Sequence, residues 1–228
     1  MYLRMKKVFS ILMFVSSFTL LAQDKVVKEL GEFSEIKAFD GISVNLVKSD
    51  ENKAIVTGDD VHKVVFVNNG GKLKIRMEID KVFSGFETFV EVHYKGRIET
   101  VDVNENAFVT SKDLIKQETL ELKAQEGGEI DLKLEVLRLN VKSITGGIIE
   151  TSGTAKNQVV RINTGGQYEG DRLQTEQTDV DVNAGGTAYV KASELVEAKV
   201  RAGGTIRIFG KPKVIDQQKL IGGKIIEQ

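Results

Sequence analysis

The sequence predicts an all-β protein whose larger part is a right-handed parallel β-solenoid, and three observations support this fold class. A pair of adjacent glycines returns at steps of 19, 19, 20, 18 and 19 residues, which marks one structural unit stacked repeatedly. Apolar and polar residues alternate between the pairs with the period of two that half-buried strands show. Helical periodicity is absent after residue 22. The right hand follows from the general preference of parallel crossover connections. The glycine pairs, predicted to be structural corners, are Gly127-Gly128, Gly146-Gly147, Gly165-Gly166, Gly185-Gly186, Gly203-Gly204 and Gly222-Gly223.

Each repeat is predicted to be a strand, a glycine corner and a second strand, so that about 19 residues complete one coil. Counting by twos from the apolar positions places the second glycine of each pair on the inside of the bend. The small residues before the pairs, such as Thr145 and Thr164, are expected to line a narrow interior and to place hydroxyls against a neighbouring coil. A propeller blade would need about 40 residues, and a leucine-rich repeat would show its own Leu and Asn consensus.

Residues 1–22 are predicted to be a signal peptide. Arg4, Lys6 and Lys7 precede a 14-residue apolar stretch, and Ala22 supplies the small residue at the cleavage site. A membrane-spanning helix would need about 20 apolar residues, so we expect cleavage and no transmembrane segment in the mature chain. The prediction is an exported protein in the periplasm, at the cell surface or secreted. Because the sequence has no cysteine, neither a lipidated cysteine nor a disulfide is expected.

The mature chain is predicted to form one continuous domain with three parts. Residues 23–32 are an N-terminal extension, residues 33–97 are β-hairpins packed on the first coil, and residues 98–228 are the glycine-pair solenoid. The Asn68-Asn69-Gly70-Gly71 stretch between two apolar runs supplies residues that tolerate positive φ, as a tight hairpin requires. At the far end of the stack, Lys211-Pro212-Lys213 and the charged stretch after Asp216 are expected to discourage further strand pairing.

Several segments of the chain resemble the head GIN domain family, an auto-transporter adhesin domain family of Bacteroidetes-type bacteria. Phe39–Val44 is similar to the opening motif of the family, and Asp59-Asp60 with the following strands is similar to its next block. The last repeat, Ile206–Pro212, resembles the closing aromatic-x-Gly-x-Pro motif. The resemblance covers residues 32–223 and implies a β-helix-like fold and an envelope or secreted location. It implies no catalytic residue. Family corners often contain Ser-Gly-Ser-Gly, whereas the corners of this chain contain Thr-Gly-Gly or Ala-Gly-Gly.

The composition offers little catalytic chemistry. Thiol catalysis is excluded by the absence of cysteine, and His62 and His93 have neither the spacing of a zinc site nor a motif that marks a general base. No Gly-Lys-Ser/Thr sequence follows the glycine pairs, so they are not phosphate loops. Removing residues 1–22 lowers Lys+Arg from 32 to 29 against 33 Asp+Glu, which leaves a net charge of −4. This balance argues against a nucleic-acid partner. No cofactor and no metal is expected.

Charged residues at equivalent repeat positions form the one constellation with functional potential. One outward column is predicted to contain Lys123, Lys142, Arg161, Asp181 and Lys199. A second column, on the other strand of each coil, is predicted to contain Asp131, Glu150 and Glu169. The columns could be a solvated face on which opposite charges neutralise each other, or a linear surface that recognises a polymer.

The resulting prediction is a non-catalytic envelope module for binding or adhesion, whose partner is a polymer such as a glycan, or an envelope protein. The first alternative is a polysaccharide lyase or hydrolase that uses Asp179, Asp181, Arg161 and Lys199. The second alternative is a structural module that assembles end to end through uncapped coils.

Overall fold

The structure is a computed structural model, and it describes residues 25–228. The predicted signal peptide, residues 1–22, lies outside the described residues. The described chain contains seventeen strands and three single-turn 3-10 helices at Val61–Lys63, Ile79–Lys81 and Gly85–Glu87. The strands are β1 (Val26–Glu29), β2 (Glu35–Ala38), β3 (Ser43–Lys48), β4 (Lys53–Gly58), β5 (Val64–Asn69), β6 (Lys72–Met77), β7 (Thr88–Tyr94), β8 (Thr100–Val103), β9 (Phe108–Thr110), β10 (Ile115–Ala124), β11 (Glu129–Ile144), β12 (Ile148–Asn163), β13 (Gln167–Asn183), β14 (Thr187–Arg201), β15 (Thr205–Phe209), β16 (Val214–Lys219) and β17 (Lys224–Glu227).

The second half of the chain is a parallel β-solenoid, as the glycine period predicts. Each of the strands β10 to β13 pairs in parallel with the strand that follows it, and equivalent repeat positions lie in register. Every coil turns twice. One turn is the glycine corner, and the other is a bend within the long strand, where the alternation of buried residues changes phase at the exposed Leu137. The segments that lead into the glycine corners form sheet 1, and the segments that leave them form sheet 2.

The core lies between the two sheets and consists of inward columns of aliphatic side chains. The column five residues before each of the first five glycine pairs is at most 3% exposed. Burying one Val or Leu side chain stabilises the fold by roughly 1.5–3 kcal/mol, so the columns and the ladders of backbone hydrogen bonds together hold the stack. The members of this column are Leu122, Val141, Val160, Val180 and Ala198.

The two glycines of a corner serve different purposes. Gly165 has a φ of 75° and open space where a Cβ would lie. Glycine is needed there because the backbone adopts a left-handed conformation that other residues rarely take. Gly166 is buried and lacks a positive φ, but a Cβ there would lie 2.4 Å from the carbonyl oxygen of Ser143 in the preceding coil. Without a side chain, Gly166 allows its backbone to lie close to the backbone of the preceding coil. The second glycine of this corner faces inward, as predicted, and crowding is the reason for glycine there; Gly204 and Gly223 combine the same crowding with a positive φ.

The residues directly before the glycine pairs differ from the prediction. Thr145 and Thr164 are exposed, with φ values of 49° and 48°, because the corner begins in the left-handed region and turns these side chains to solvent. The expected hydroxyl contact between coils comes from Ser143. Its Oγ donates to the carbonyl oxygen of Gly147 (2.6 Å) and accepts the backbone N–H of Gln167 (3.1 Å) in the next coil.

The region 33–97 is more regular than predicted, because parts of it are coils of the solenoid. β2 pairs in parallel with β6 and β8, and β3 pairs in parallel with β7 and β9. The coil β2–β3 therefore lies between the coils β6–β7 and β8–β9, out of chain order. The structure differs here from the predicted β-hairpin region, because β2, β3, β6 and β7 pair in parallel as parts of coils. The hairpin through Gly70-Gly71 is confirmed as β5–β6, whereas β3 and β4 are separated by β7.

The two ends of the stack are finished differently. At the N-terminal end, β5 and β4 pair antiparallel with β6 and β7, and β1 adds antiparallel to β4. At the C-terminal end, β16 and β17 each have a single partner strand among residues 25–228. There Ile215 and Ile225 still pack on the core, but polar side chains occupy the other positions in register with buried residues, namely Gln217, Lys219 and Glu227. Gln217 donates to the carboxylate of Glu227 across the coil (2.8 Å).

Candidate functional site

The predicted charged column forms an unbroken outward row on sheet 1, here named the charged ladder. Lys123 pairs with Lys142, Lys142 with Arg161, Arg161 with Asp181, and Asp181 with Lys199. Adjacent members lie one strand spacing apart, about 4.8 Å. The sequence folds this way because the residues on either side of each ladder position are buried, and all of them except Ser143 are apolar. The structure therefore brings all five predicted residues onto one face.

Partial neutralisation of the ladder occurs within sheet 1. Arg161 donates to both carboxylate oxygens of Asp179 (3.0 and 2.6 Å), and Lys123 contacts Glu121 at 2.7 Å. Arg201 forms an ion pair with Asp181. The predicted acidic column lies on sheet 2 and does not contact the ladder, so the expected neutralisation between the two columns is replaced by pairing between neighbouring columns of the same sheet. Exposed pairs of this kind contribute little to stability.

The charge of sheet 1, counted over the ladder and the column beside it, changes sign along the solenoid. The N-terminal part contains Lys123, Lys142 and Arg161, and Lys142 has no carboxylate within ion-pair distance among the described residues. A depression of about 240 Å³ lies beside Lys123 and Lys142, and one of about 200 Å³ lies beside Lys142 and Arg161. The C-terminal part is acidic, since Asp179, Glu197 and Asp216 stand in register beside Lys199 and line a depression of about 300 Å³.

Of the four residues considered for a lyase or hydrolase, Asp179, Asp181 and Arg161 are held in ion pairs among the described residues, and Lys199 is not. Asp179 is bound by Arg161 and Asp181 by Arg201, so their carboxylates point at guanidinium groups on the sheet surface. A general base needs a free lone pair within reach of substrate, and neither carboxylate is placed in an enclosed site.

Of the histidines, His93 lies 3.6 Å from the carboxylate of Glu91, and His62 lies in the 3-10 helix that precedes β5. Within residues 25–228, no group of three or more His, Asp or Glu side chains is arranged to hold a metal ion.

The acidic column on sheet 2 is also in register, from Asp131 to Glu150 to Glu169. Arg172 forms an ion pair with Glu150 at 2.8 Å. Partial burial, followed by the nearby charges of Glu150 and Asp171, raises the pKa of Glu169 above its ordinary value. Close carboxylates of this kind repel one another, and no dense carboxylate loop typical of calcium sites accompanies them.

A further depression, which sequence reasoning missed, lies on sheet 2 at the N-terminal end of the stack. It has a volume of about 510 Å³ and is here named the phenylalanine cleft. Phe89, Ser43 and Phe108 follow one another across strands β7, β3 and β9, so a small residue separates two phenyl rings. Glu91, Asn45 and Thr110 form the next row. The full lining is Lys25, Ser43, Val44, Asn45, Ile55, Thr57, Phe89, Val90, Glu91, Phe108, Thr110 and Lys112.

The chemistry of the phenylalanine cleft combines apolar walls with a polar floor. Phe89 is 48% exposed, which is unusual for so large an apolar side chain. The Oδ1 atom of Asn45 is buried and has no hydrogen-bond partner. Lys25, before β1, and Lys112, after β9, line opposite sides of the cleft, and neither has a carboxylate within ion-pair distance in the described part of the chain. A phenylalanine at an outward position of an alternating strand is the sequence signal that could have indicated this cleft.

The fold and the repeats agree with the comparison to known families. The family model described as "Putative auto-transporter adhesin, head GIN domain" matches residues 32–212. The chain belongs to the head GIN domain family. The match begins before β2 and ends after β15, so it covers the out-of-order coils at the N-terminal end as well as the glycine-pair repeats. This confirms the family that the sequence motifs indicate.

Solved structures show the same fold at low sequence identity. A "putative adhesin" from Bacteroides fragilis NCTC 9343 is similar with a TM-score of 0.80 and 18% identity, covering 90% of this chain and 96% of that chain. A "putative lipid binding protein" from Parabacteroides distasonis ATCC 8503 has a TM-score of 0.69 and 16% identity over 90% of this chain and 96% of that one. A "putative adhesin" from Parabacteroides merdae ATCC 43184 has a TM-score of 0.68 and 15% identity, with coverage of 90% and 95%.

The remaining comparisons add little about function. No curated protein matches the chain. In residues 25–228, no helix is long and apolar enough to cross a membrane.

Proposed function

We propose that this head GIN domain protein is an exported, non-catalytic binding module that recognises a polymeric glycan of the cell envelope or its surroundings. The observation that carries the proposal is the charged ladder, in which five residues from successive coils stand in register on one flat sheet. Export is supported by the signal-like residues 1–22 and by the adhesin description of the family.

The basic part of the charged ladder fits a repeating anionic polymer. Three cations follow one another from Lys123 to Arg161 at intervals of about 4.8 Å, close to the length of one sugar unit in an extended chain. A polymer laid along the solenoid axis would meet one cation per coil. Lys142 contributes most, because its charge is unpaired among the described residues and it borders two depressions. The acidic residues of the C-terminal coils, from Asp179 onward, would repel an anionic polymer, so the binding surface ends there.

We propose a non-catalytic protein because the candidate catalytic carboxylates on this face are engaged in ion pairs. Asp179 and Asp181, the strongest acid candidates on this face, are occupied by Arg161 and Arg201. Long-range steering by lysines requires no enclosed site, which agrees with the shallow form of the depressions along the ladder.

The test is a panel of acidic and neutral polysaccharides offered to the mature chain, scored for binding and for cleavage. We expect saturable binding to acidic polymers that weakens with salt. Lys142→Gln should reduce affinity about fivefold, the effect of roughly 1 kcal/mol. Lys156→Gln removes an equivalent exposed charge at the second bend of the coil, away from the ladder, and should leave affinity unchanged.

Two outcomes would contradict the proposal. Equal losses for Lys142→Gln and Lys156→Gln would show that only overall charge matters. Release of reducing ends or unsaturated sugars, lost in Asp181→Ala, would show that the protein is a polysaccharide-active enzyme.

A further inference from the structure

We propose that the phenylalanine cleft is a second glycan site, which holds a single anionic sugar residue between the rings of Phe89 and Phe108. The inference rests on the proposed function for its ligand class, but its site is separate from the charged ladder. The ladder lies on sheet 1, whereas the cleft lies on sheet 2 at the opposite face of the N-terminal coils.

The spacing of the two walls suits one ring. Phe89 and Phe108 are in register with Ser43 on the strand between them, so their Cα atoms are two strand spacings apart, roughly 10 Å. The small side chain of Ser43 leaves the space between the phenyl rings open. The C–H groups on one face of a pyranose ring form an apolar surface that packs on a phenyl face. Covering Phe89, which is 48% exposed, adds favourable apolar burial.

The floor of the cleft favours a sugar over an acyl chain. Ser43, Thr57 and Thr110 contribute hydroxyl groups to the lining, and Asn45 and Glu91 add an amide and a carboxylate. These groups can exchange hydrogen bonds with sugar hydroxyls, whereas an acyl chain would cover them and leave their hydrogen bonds unmade.

The charge of Lys112 favours an acidic substituent on the sugar. Lys112 follows β9 on the side of Phe108, whereas Lys25 precedes β1 on the far side of Phe89, and neither has a carboxylate partner within residues 25–228. Glu91 lies in the row beside Asn45, where it would repel an anion but can accept hydrogen bonds from hydroxyls. The acidic group therefore points to Lys112, and the hydroxyls point to Glu91. A carboxylate, sulfate or phosphate substituent satisfies this arrangement.

The experiment measures binding of short acidic oligosaccharides to the mature chain by calorimetry. The probes are oligogalacturonate, sialyllactose and heparin oligosaccharides, with lactose and methyl-esterified oligogalacturonate as neutral counterparts. We expect at least one acidic probe to bind and the neutral counterparts to bind about tenfold more weakly. Phe108→Ala should weaken the acidic probe about tenfold, and Lys112→Gln about threefold.

Matched variants separate this site from the ladder and from effects on folding. Phe209→Ala removes a phenylalanine from the far end of sheet 2, where it packs edge-on against Tyr189, and should leave binding unchanged. Phe108→Leu keeps an apolar side chain and the fold, and it should still weaken binding. Lys142→Gln should not change the affinity of these short probes.

The results that would contradict a glycan site in the phenylalanine cleft differ from those that would contradict polymer binding on the charged ladder. Binding that is lost in Lys142→Gln and retained in Phe108→Ala would leave the ladder as the glycan site and exclude the cleft. No binding by any acidic probe at about 1 mM would contradict the cleft proposal, whatever long polymers do on the ladder. Binding of dodecanoate, but of no sugar, that is lost in Phe108→Ala would show that the cleft holds an acyl chain.

Discussion

The two ends of the solenoid solve the same problem in different ways. Any open stack of strands leaves rows of unpaired N–H and C=O groups that can recruit another chain. At the N-terminal end, the outer coil β6–β7 is paired on its far side by the antiparallel strands β5 and β4, and the short strand β1 finishes that sheet. At the C-terminal end, β16 and β17 have one partner each among residues 25–228.

The C-terminal coil is protected by composition instead of pairing. Gln217 and Lys219 are in register with the buried Ala198 and Val200, and Glu227 is in register with the buried Ile208. A further coil added here would have to bury these polar groups, which is costly without partners. The comparison shows that extra strands hold one end in place, whereas polar side chains only discourage growth at the other end.

The largest effect is expected from matched glycine substitutions at the two ends. Gly58 in β4 has a φ of 96°, and a Cβ there would lie 2.0 Å from the carbonyl oxygen of Glu87. Gly223 in the last corner has a φ of 91°, and a Cβ would lie 2.2 Å from a methyl group of Val200. We expect Gly58→Ala to lower the free energy of unfolding by about 2–4 kcal/mol and Gly223→Ala by about 1 kcal/mol or less. The reason is that the last coil can shift away from its single neighbour. Denaturant titration measures both values.

A third variant, in the middle of the stack, provides a reference value for the loss of unfolding free energy at the two ends. Gly166→Val places a side chain against the backbone of the preceding coil, with neighbours on both sides, and should cost about 2–4 kcal/mol. Equal losses for Gly58→Ala and Gly223→Ala would show that the C-terminal coil is held as firmly as the hairpin end.

The next effect concerns association through the C-terminal end. Replacing Gln217 and Lys219 together by valine removes the polar groups that face inward and leaves apolar side chains beside Ala198 and Val200. We expect this double variant to form dimers or longer rods as its concentration rises, because the apolar end gains by being covered. Sedimentation velocity over a range of concentrations measures it. Gln218→Val, on the outward side of the same strand, is the control and should sediment like the wild type. Rods formed equally by the unchanged protein would support the structural-assembly alternative.

The smallest effect is a pH dependence of the protein's stability that arises from Glu105 in the N-terminal coils. Glu105, in the corner between β8 and β9, has a pKa raised above its ordinary value by partial burial, then by a hydrogen bond with the carboxyl of Asp40 and by the charges of Asp40 and Glu126. A raised pKa means that the folded state binds the proton more tightly than the unfolded state. The stability contributed by Glu105 is therefore present below the ordinary carboxyl pKa and is lost as pH rises through the raised value.

Glu105→Gln should accordingly raise the melting midpoint at pH 7 by about 1 °C and leave it unchanged near pH 4. Glu118→Gln, at an exposed position in the outer bend of β10, serves as control and should show no such difference between the two pH values. A gain from Glu105→Gln that is equal at both pH values would show that its charge is not the cause.

The repeats were predictable from the sequence because each coil depends on its immediate neighbours. The glycine pairs, the inward aliphatic columns and the register of the charged ladder all follow from one period. The order of the coils β6–β7, β2–β3 and β8–β9 could not be predicted, since it depends on pairing between segments whose separation in sequence has no period. The phenylalanine cleft was missed for the same reason, because Phe89 and Phe108 meet only through the intervening β3.

Side-chain substitutions within the columns were equally hard to anticipate. Tyr168 occupies an inward position that other coils fill with aliphatic residues, and its hydroxyl bonds to Thr151 (2.8 Å) and Gln158 (2.9 Å) inside the core. Gly170 makes room for the ring, since a Cβ there would lie 2.5 Å from it. Compensation of this kind between two residues of one repeat is not visible in a column-by-column comparison.

The out-of-order coil has a consequence for how the molecule assembles. Ser34, directly before β2, contacts Glu99 across 65 residues of chain, whereas successive coils elsewhere close loops of about 19 residues. Closing the longer loop costs more chain entropy and slows its formation. We expect the N-terminal coils to be the slow step of folding. Once they exist, each later repeat adds to a finished template, so growth proceeds in one direction and unfolding begins at β17.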